Sequence, residues 1–463
     1  MTTIQKIDAE SQPGVENSLN LFSLPPTSVA FNKSTIRELL PITSIDNNGP
    51  YCFRIFSDNQ FIDLSRTWFY LETIIEKQND TGGWNRIGNT TNNDKNISVC
   101  NNFGNSFIKR LDIKVNGKEI FNSGTNYAYR AYINHELFTS DETRKSFSEA
   151  SCYYTDPHEN SVPLYYYKNK GFLARAKRFE SGQICHTMAK LDFDLADQSN
   201  LFVNNVDVLF TIYRNDDDWL IMAPNYELPA AREGEAAVVT INTSNYRIKV
   251  IAMKIFIVTV DVVQSLQNAI SRHLTTQPAK YSLRKIEVRN FYLGQGRQDF
   301  VYNVFQSTVP RRIIVGFVNR RAFIGDTKLS PFYFENANLR TISVEAGGNV
   351  WPAVPYDFNF PQNNYIRGYV DLYQHLNLIG QHHSINLTMP KFNKGWTFFT
   401  FNLTSTLKDT SAFELIKNST TVIKAVFNES IPDPGYEMIV FAEFDQIIAV
   451  NTDRIFSSDG TSV

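Results

Sequence analysis

Alternating apolar and polar residues recur along most of the chain and predict many β-strands. Leu111, Ile113 and Val115 lie on one face of an extended segment, and Asp112 and Lys114 lie on the other. A period of two residues is typical of a strand with one buried face. Similar runs, rich in β-branched and aromatic residues, occur at Ser65–Ile75, Leu191–Leu195, Val206–Ile212, Tyr246–Val263, Leu283–Val288, Arg312–Val318, Phe399–Leu403, Val422–Phe427 and Tyr436–Val450.

Three short segments instead predict helices. Leu266, Ile270 and Leu274 have helical spacing within Ser265–Leu274, and Pro278 follows shortly afterwards. Because this segment lies between two groups of strands and is closed by a proline, we expect a connector helix. The other two predicted helices are Tyr127–Phe138 and Tyr365–Leu376.

The order of elements in the first half of the chain is repeated in the second half. In each half an alternating strand ends at a glycine turn and is followed by a short helix and more strands. The helical sequence Tyr129–Ile133 (YRAYI) is similar to Ile366–Val370 (IRGYV), about 237 residues later. The strands that contain Ile113 and Ile342 are about 229 residues apart. Such internal similarity indicates the duplication of one β-domain.

The N-terminal segment differs from the rest of the chain. It is polar, contains four prolines and lacks sustained periodicity, which predicts an extended arm. For the remainder we expect an all-β fold of two tandem jelly rolls with about eight strands each, because long irregular loops suit double-sheet jelly rolls. The predicted divisions are an arm at 1–45, a first jelly roll at 46–264, a connector at 265–280, a second jelly roll at 281–455 and a C-terminal tail at 456–463.

Composition and charge argue against a protein that works on nucleic acid. Aromatic residues make up 13% of the 463 residues, charged residues make up 20%, and the formal net charge is -2. Without a long basic run, we expect no sequence-specific nucleic-acid partner. No apolar run reaches the ~20 residues of a membrane span, and contact with a membrane is left open. The N-terminus lacks a signal-peptide core, so we expect synthesis in the cytoplasm.

No catalytic, cofactor-binding or metal-binding pattern stands out, and we expect a protein that is not an enzyme and needs no cofactor. His382–His383 lacks further ligands at metal spacing, and Asp216–Asp218 lacks the alternating ligands of a calcium loop. Gly294–Gly296 lacks the third glycine of a dinucleotide loop and predicts a turn. Tyr165–Tyr167 could stack on a sugar, which keeps a soluble glycan-binding jelly-roll protein as the alternative. Four separated cysteines predict reduced, buried thiols, with a structural disulfide or zinc site as the alternative: Cys52, Cys100, Cys152 and Cys185.

Several longer motifs resemble those of one protein family and follow one another in the same order along the chain. The chain resembles the hexon-like double jelly-roll major capsid proteins of Polinton (Maverick) elements and adintovirus-type viruses, from about residue 19 to 453. The loops at 76–105 and 139–185 do not share this resemblance. The motifs that carry it are Leu19–Thr27, Phe61–Thr67, Asn126–Ile133, Ala279–Tyr281, Arg312–Asn319 and Phe441–Asp445.

The resemblance implies a structural virion protein located in the capsid. Three copies would form a homotrimer of pseudo-hexagonal outline, and trimers would tile an icosahedral shell. Penton and minor capsid proteins are the further partners that it implies. The arm would reach under neighbouring capsomers or toward internal proteins. The resemblance transfers no catalytic residues.

Overall fold

The structure of the chain is a computed structural model. It describes residues 10, 17–22, 24–46, 48–88, 94, 96–157, 168–228, 238–407, 412–415 and 417–458. None of the helices within these ranges is long and apolar enough to cross a membrane.

Thirteen strands lie in the first half of the described chain. They are β1 (Phe31–Leu39), β2 (Tyr51–Phe56), β3 (Phe61–Gln78), β4 (Trp84–Arg86), β5 (Ser98–Val99), β6 (Ile108–Val115), β7 (Lys118–Asn122), β8 (Cys185–Lys190), β9 (Asp207–Arg214), β10 (Ile221–Met222), β11 (Tyr226–Leu228), β12 (Val238–Thr240) and β13 (Tyr246–Val262).

Ten strands lie in the second half of the described chain. They are β14 (Ala279–Leu293), β15 (Asp299–Phe305), β16 (Arg312–Asn319), β17 (Phe334–Glu335), β18 (Leu339–Ala346), β19 (Asn349–Trp351), β20 (Phe399–Asn402), β21 (Thr421–Phe427), β22 (Tyr436–Val450) and β23 (Phe456–Ser458).

Both halves contain the same pair of sheets. The first half has a sheet in the order β1-β13-β3-β4, with β8 also on β3, and a second sheet in the order β2-β9-β6-β7. The second half repeats this as β14-β22-β16-β17, with β20 on β16, and β15-β21-β18-β19. Each half is therefore a two-sheet sandwich with jelly-roll connections, as the repeated sequence pattern predicts.

The helices are short and lie in the connections. The name first-half helix is used for Tyr127–Phe138, second-half helix for Ile366–His375 and connector helix for Gln264–Thr276. The other α-helices are Phe103–Ser106, Asp141–Lys145, Lys170–Lys177, Asp217–Leu220, Arg320–Ile324 and Met389–Asn393. Short 3-10 helices occur at Asn17–Leu19, Gly124–Asn126, Phe147–Ser151, Glu180–Gly182, Asp194–Asp197 and Phe360–Gln362.

Local sequence explains the predicted hairpin after β6. Asn116 and Gly117 both have positive φ, 50° and 80°, and join β6 to β7. These are the angles that a tight hairpin turn requires, and Asn-Gly is the pair that adopts them most readily. Along β6, Leu111, Ile113 and Val115 are all buried. The apolar face seen in the sequence is therefore a face of the core.

Three predictions about element boundaries are wrong. Phe31–Leu39, placed in the extended arm, forms strand β1 on β13. Most of β1 is exposed, so its sequence has no alternation to reveal it. Phe456–Ser458, placed in the C-terminal tail, forms β23 on β22. Leu191–Leu195, predicted as a strand, leads instead into the 3-10 helix at Asp194–Asp197.

Candidate assembly surfaces

A buried arginine joins the two halves of the chain. Arg130, on the first-half helix, donates from Nε to Asp192 Oδ1 at 2.8 Å and from Nη2 to Asp194 Oδ1 at 2.9 Å. Its Nη1 donates to the carbonyl oxygen of Ile286 in β14 at 3.0 Å. The N–H of Ile286 in turn donates to Asp194 Oδ1 at 3.1 Å. Side chains of the first half thus bind both the N–H and the carbonyl oxygen of Ile286 in the second half.

Burial and charge act against each other at this junction. Burial would lower the pKa of Arg130, but Asp194 and Asp192 raise it above its ordinary value. Burial raises the pKa of Asp194, and Arg130 partly offsets this. A buried charge is costly unless it is paired and fully hydrogen-bonded. The cluster meets that condition only when the two halves are together.

Aromatic rings continue the same junction. Tyr132 stacks on Phe332 with ring centroids 4.0 Å apart and an interplanar angle of 6°. Tyr129 stacks on Phe323 with centroids 5.7 Å apart. The tyrosines belong to the first-half helix and the phenylalanines to the second half, and one apolar cluster runs through both sandwiches. Offset-stacked rings add to the free energy of simple burial.

Strand β1 is mostly polar, but it and the residue after it leave large apolar side chains exposed within the described chain. It is the outermost strand of its sheet and pairs only with β13 among the described strands. Ile36 is 70% exposed and Leu40 is 62% exposed. Further toward the N-terminus, Phe22 is 97% exposed and Leu24 is 91% exposed. An edge strand with exposed apolar side chains is a common protein interaction surface.

The second-half helix presents another uncovered apolar surface. Ile366 and Val370 are exposed large apolar residues on this helix. Between them Arg367 donates to the carbonyl oxygen of Pro355 at 3.0 Å, and its guanidinium lies 4.7 Å from the ring centroid of Tyr356. In the sequence repeat Arg367 matches Arg130, which is fully buried.

A cavity of about 570 Å³ lies between the two halves. Trp68, Phe138 and Phe147 contribute aromatic walls from the first half, and Arg312 and Glu443 line it from the second half. The latter two form an ion pair at 3.2 Å. A cleft at a domain junction is a usual place for a small ligand. In this cavity, however, the charges of Arg312 and Glu443 are already paired with each other.

The candidate chemical residues that the structure describes do not come together in one site. His382 and His383 are exposed in the loop after the second-half helix. Asp216 forms an ion pair with Lys109 at 2.9 Å, and no group of three or more His, Cys, Asp or Glu able to hold a metal occurs in the described part of the chain. Gly294–Gly296 lies in the turn between β14 and β15, as predicted. Tyr165–Tyr167 lies outside the described residues.

The four cysteines are free thiols. Cys100, Cys152 and Cys185 are buried, whereas Cys52 is partly exposed. Burial raises the pKa of Cys100 to about 12, so its thiol stays protonated and unreactive at neutral pH. Cys100, Cys152 and Cys185 act as small core residues, as the sequence predicts, whereas the prediction that Cys52 is buried is wrong.

Sequence reasoning missed the roles of Arg130, Asp192 and Asp194. The alternating pattern of Leu191–Leu195 predicts that both carboxylates lie on the polar face of a strand, and Arg130 stands out only as part of the repeated motif at Tyr129–Ile133. The signal was present, since an arginine flanked by Tyr129 and Tyr132 on a buried helix needs a carboxylate partner. What the sequence lacks is the information that this partner lies about 60 residues away.

Sequence comparisons give a distant relative of this chain. No family model matches the chain. An uncharacterised protein of Caenorhabditis elegans is 28% identical over 415 residues, which cover 88% of this chain and 92% of the relative.

Solved structures give the architecture. The Sputnik virophage structure matches with a TM-score of 0.61 at 11% identity, over 98% of this chain and 94% of that one. The mavirus major capsid protein matches with a TM-score of 0.55 at 12% identity, over 99% of this chain and 97% of that one. The Faustovirus major capsid protein matches with a TM-score of 0.58 at 10% identity, over 95% of this chain and 93% of that one. The chain therefore has the double jelly-roll fold that these viral capsid proteins share.

Proposed function

We propose that this chain is a major capsid protein, a structural component of a virion. The observation that carries the proposal is the repeated sandwich, in which two sheets of equal strand order recur and are joined by a buried junction. Two such units per chain are what a homotrimer of pseudo-hexagonal outline needs. Trimers of this kind would tile an icosahedral shell in the virion capsid.

The sequence motifs support a finer assignment within this class. The six motifs quoted above resemble the capsid proteins of Polinton (Maverick) elements and adintovirus-type viruses, and they extend over most of the chain. We assign the chain to that group on this resemblance. Its partners would be further copies of itself together with penton and minor capsid proteins, and its role would be structural rather than enzymatic.

The exposed surfaces support self-assembly. The exposed apolar side chains of Phe22, Leu24 and Ile36 would be buried by contacts between copies. Contacts between trimers can each be weak, because many such contacts act together in a shell. A shell protein also has no need of a strongly charged surface, which fits the net charge of -2.

The test is the mass and outline of the purified full-length protein. Light scattering should give three times the 53.0 kDa of one chain, and negative-stain electron microscopy should show particles of hexagonal outline or closed shells. A monodisperse monomer at micromolar concentration, with no larger particles on the grid, would contradict the proposal. A soluble glycan-binding protein would instead give clear micromolar binding on a glycan array.

A further inference from the structure

We propose that the second-half helix of one copy docks on strand β1 of a second copy. This contact would repeat, between chains, the junction that joins the two halves within one chain. The inference rests on the proposed assembly into capsomers and names the two surfaces that meet.

The two sandwiches define which elements correspond. Strand β1 lies outermost in its sheet beside the long strand β13, and β14 lies outermost in the equivalent sheet beside β22. The first-half helix and the second-half helix both follow the short hairpin of their sandwich. They also carry the matching sequences Tyr129–Ile133 and Ile366–Val370. Strand β1 is thus the counterpart of β14, and the second-half helix is the counterpart of the first-half helix.

Within one chain the junction uses only one of the two helices and only one of the two edge strands β1 and β14. The first-half helix packs on β14, where Arg130 and Asp194 bind the backbone of Ile286. Ile286 and Val288 are partly buried there against the common core. The unused members are the second-half helix and β1. They lie in opposite halves of the chain, as the two sides of the existing junction do.

Both unused elements expose large apolar side chains. Ile366 is 57% exposed and Val370 is 44% exposed on the helix, while Ile36 is 70% exposed on β1. Their counterparts on the first-half helix, Tyr129 and Ile133, are 3% and 0% exposed. A helix that exposes positions buried in its duplicate is explained if a second copy covers it.

The matching arginines show the same difference. The guanidinium of Arg130 reaches a backbone carbonyl of the edge strand that its helix covers. The side chain of Arg367 is 44% exposed, and its partners within the described residues all lie in its own half of the chain. We expect Arg367 to bond to a backbone carbonyl of β1 in the second copy. An edge strand offers such unpaired groups.

The contact joins two different surfaces and cannot pair with itself. Such heterologous contacts produce a closed ring when the rotation between copies closes, and an open filament when it does not. Because each chain already contains one junction, three copies would give six alternating sandwiches with six similar junctions. This is the ring that the proposed trimer requires.

Cysteine cross-linking of the full-length protein tests the contact directly. The background is Cys52→Ser, which removes the one partly exposed native thiol. Ile36→Cys and Val370→Cys are made singly and together, and each protein is treated with a flexible bis-maleimide. We expect bands of two and three chains from the double variant, and from a mixture of the two single variants only a band of two chains. Each single variant alone should remain at one chain.

Three results would overturn this contact. Dimers from Ile36→Cys alone would show that β1 pairs with β1, in a self-complementary contact. An uncross-linked double variant that still forms hexagonal particles by microscopy would place the trimer contact elsewhere, while leaving the proposed function intact. A protein that forms neither cross-links nor particles would contradict both proposals.

Surface variants give a second, independent measurement. The pair Ile366→Asp and Val370→Asp, or Ile36→Asp alone, should reduce the mass by light scattering from three chains to one. Val301→Asp, at a site 59% exposed on β15, is the matched control and should leave three chains. Equal loss in the control and the test variants, or no loss in either, would contradict the inference.

Discussion

At the scale of single residues, the protein depends on a few buried charges. Arg130 is 1% exposed, and three of its N–H groups have partners on both sides of the junction. A paired charge of this kind is not a strong source of stability in itself, but removing one partner leaves the others buried and uncompensated. Arg130 therefore makes the correct docking of the two halves a requirement for a stable fold.

Replacing Arg130 with methionine should strongly destabilise the protein. Arg130→Met leaves Asp192 and Asp194 buried without their cation, which should lower the free energy of unfolding by about 3–5 kcal/mol. Denaturant unfolding at one fixed protein concentration measures this loss. Arg54→Met removes a surface ion pair with Asp207 instead and should change the midpoint little. Similar midpoints for the two variants would show that the buried cluster is not important.

His135 should make stability depend on pH. Burial lowers its pKa to about 4 from an ordinary 6.5. The nearby carboxylates of Glu136 and Asp192 oppose this shift, whereas the positive charge of Arg144 adds to it. The unfolded chain then binds a proton more readily, so stability present above about pH 6.5 is lost as the pH falls toward 4.

The measurement is the difference between the parent protein and His135→Gln. The variant should lose less stability between pH 7 and pH 4.5, by on the order of 1–3 kcal/mol. Burial raises the pKa of Asp197 to about 6, so its contribution to the pH dependence has the opposite sign. That contribution is common to both proteins and cancels when the stability of the variant is subtracted from that of the parent. His382→Gln, in an exposed loop, is the control. Identical pH profiles for parent and His135→Gln would contradict the prediction.

At the scale of elements, the sequence predicts what depends on local pattern. The first-half helix begins and ends where the sequence places it, and β22 has the predicted bounds Tyr436–Val450. The alternation at Leu191–Leu195 was misleading because Asp192 faces the buried Arg130 rather than solvent. Strand β1 gave no signal because nearly all of it is exposed. Contacts between distant segments decide both cases.

Gly316 shows how closely the strands and connections pack. A Cβ at this position in β16 would lie 2.5 Å from Cδ1 of Phe334, whose ring packs against Tyr132 and Phe398. Gly316→Ala should therefore lower the free energy of unfolding by about 1–3 kcal/mol through overpacking. Gly294→Ala is the control, because its Cβ would have only an ordinary contact at 3.7 Å. Thermal unfolding of both variants checks the difference, and equal midpoints would show that the ring moves aside freely.

At the scale of the whole molecule, duplication is visible in the sequence but its consequence is not. The repeated order of elements predicts two sandwiches, and the structure has them with equal strand order. The sequence does not show that the two share one core. That depends on pairs such as Tyr132 and Phe332, which are about 200 residues apart. The exposed counterparts of this junction could be found only by comparing the two halves in three dimensions.

Because the halves share a core, the connector should not be needed to hold them together once they have folded. Most of the connector helix is exposed, and only Gln267 and Leu274 are buried on it. A protease site inserted after Thr276 should be cleaved in the folded protein without separating the fragments. They should elute together from a sizing column in native buffer and separate in denaturant. The same insertion with Arg130→Met should release fragments under milder denaturant, because the junction has lost its central cation. Fragments that separate in native buffer without this substitution would show that the covalent connector, rather than the shared core, joins the two sandwiches.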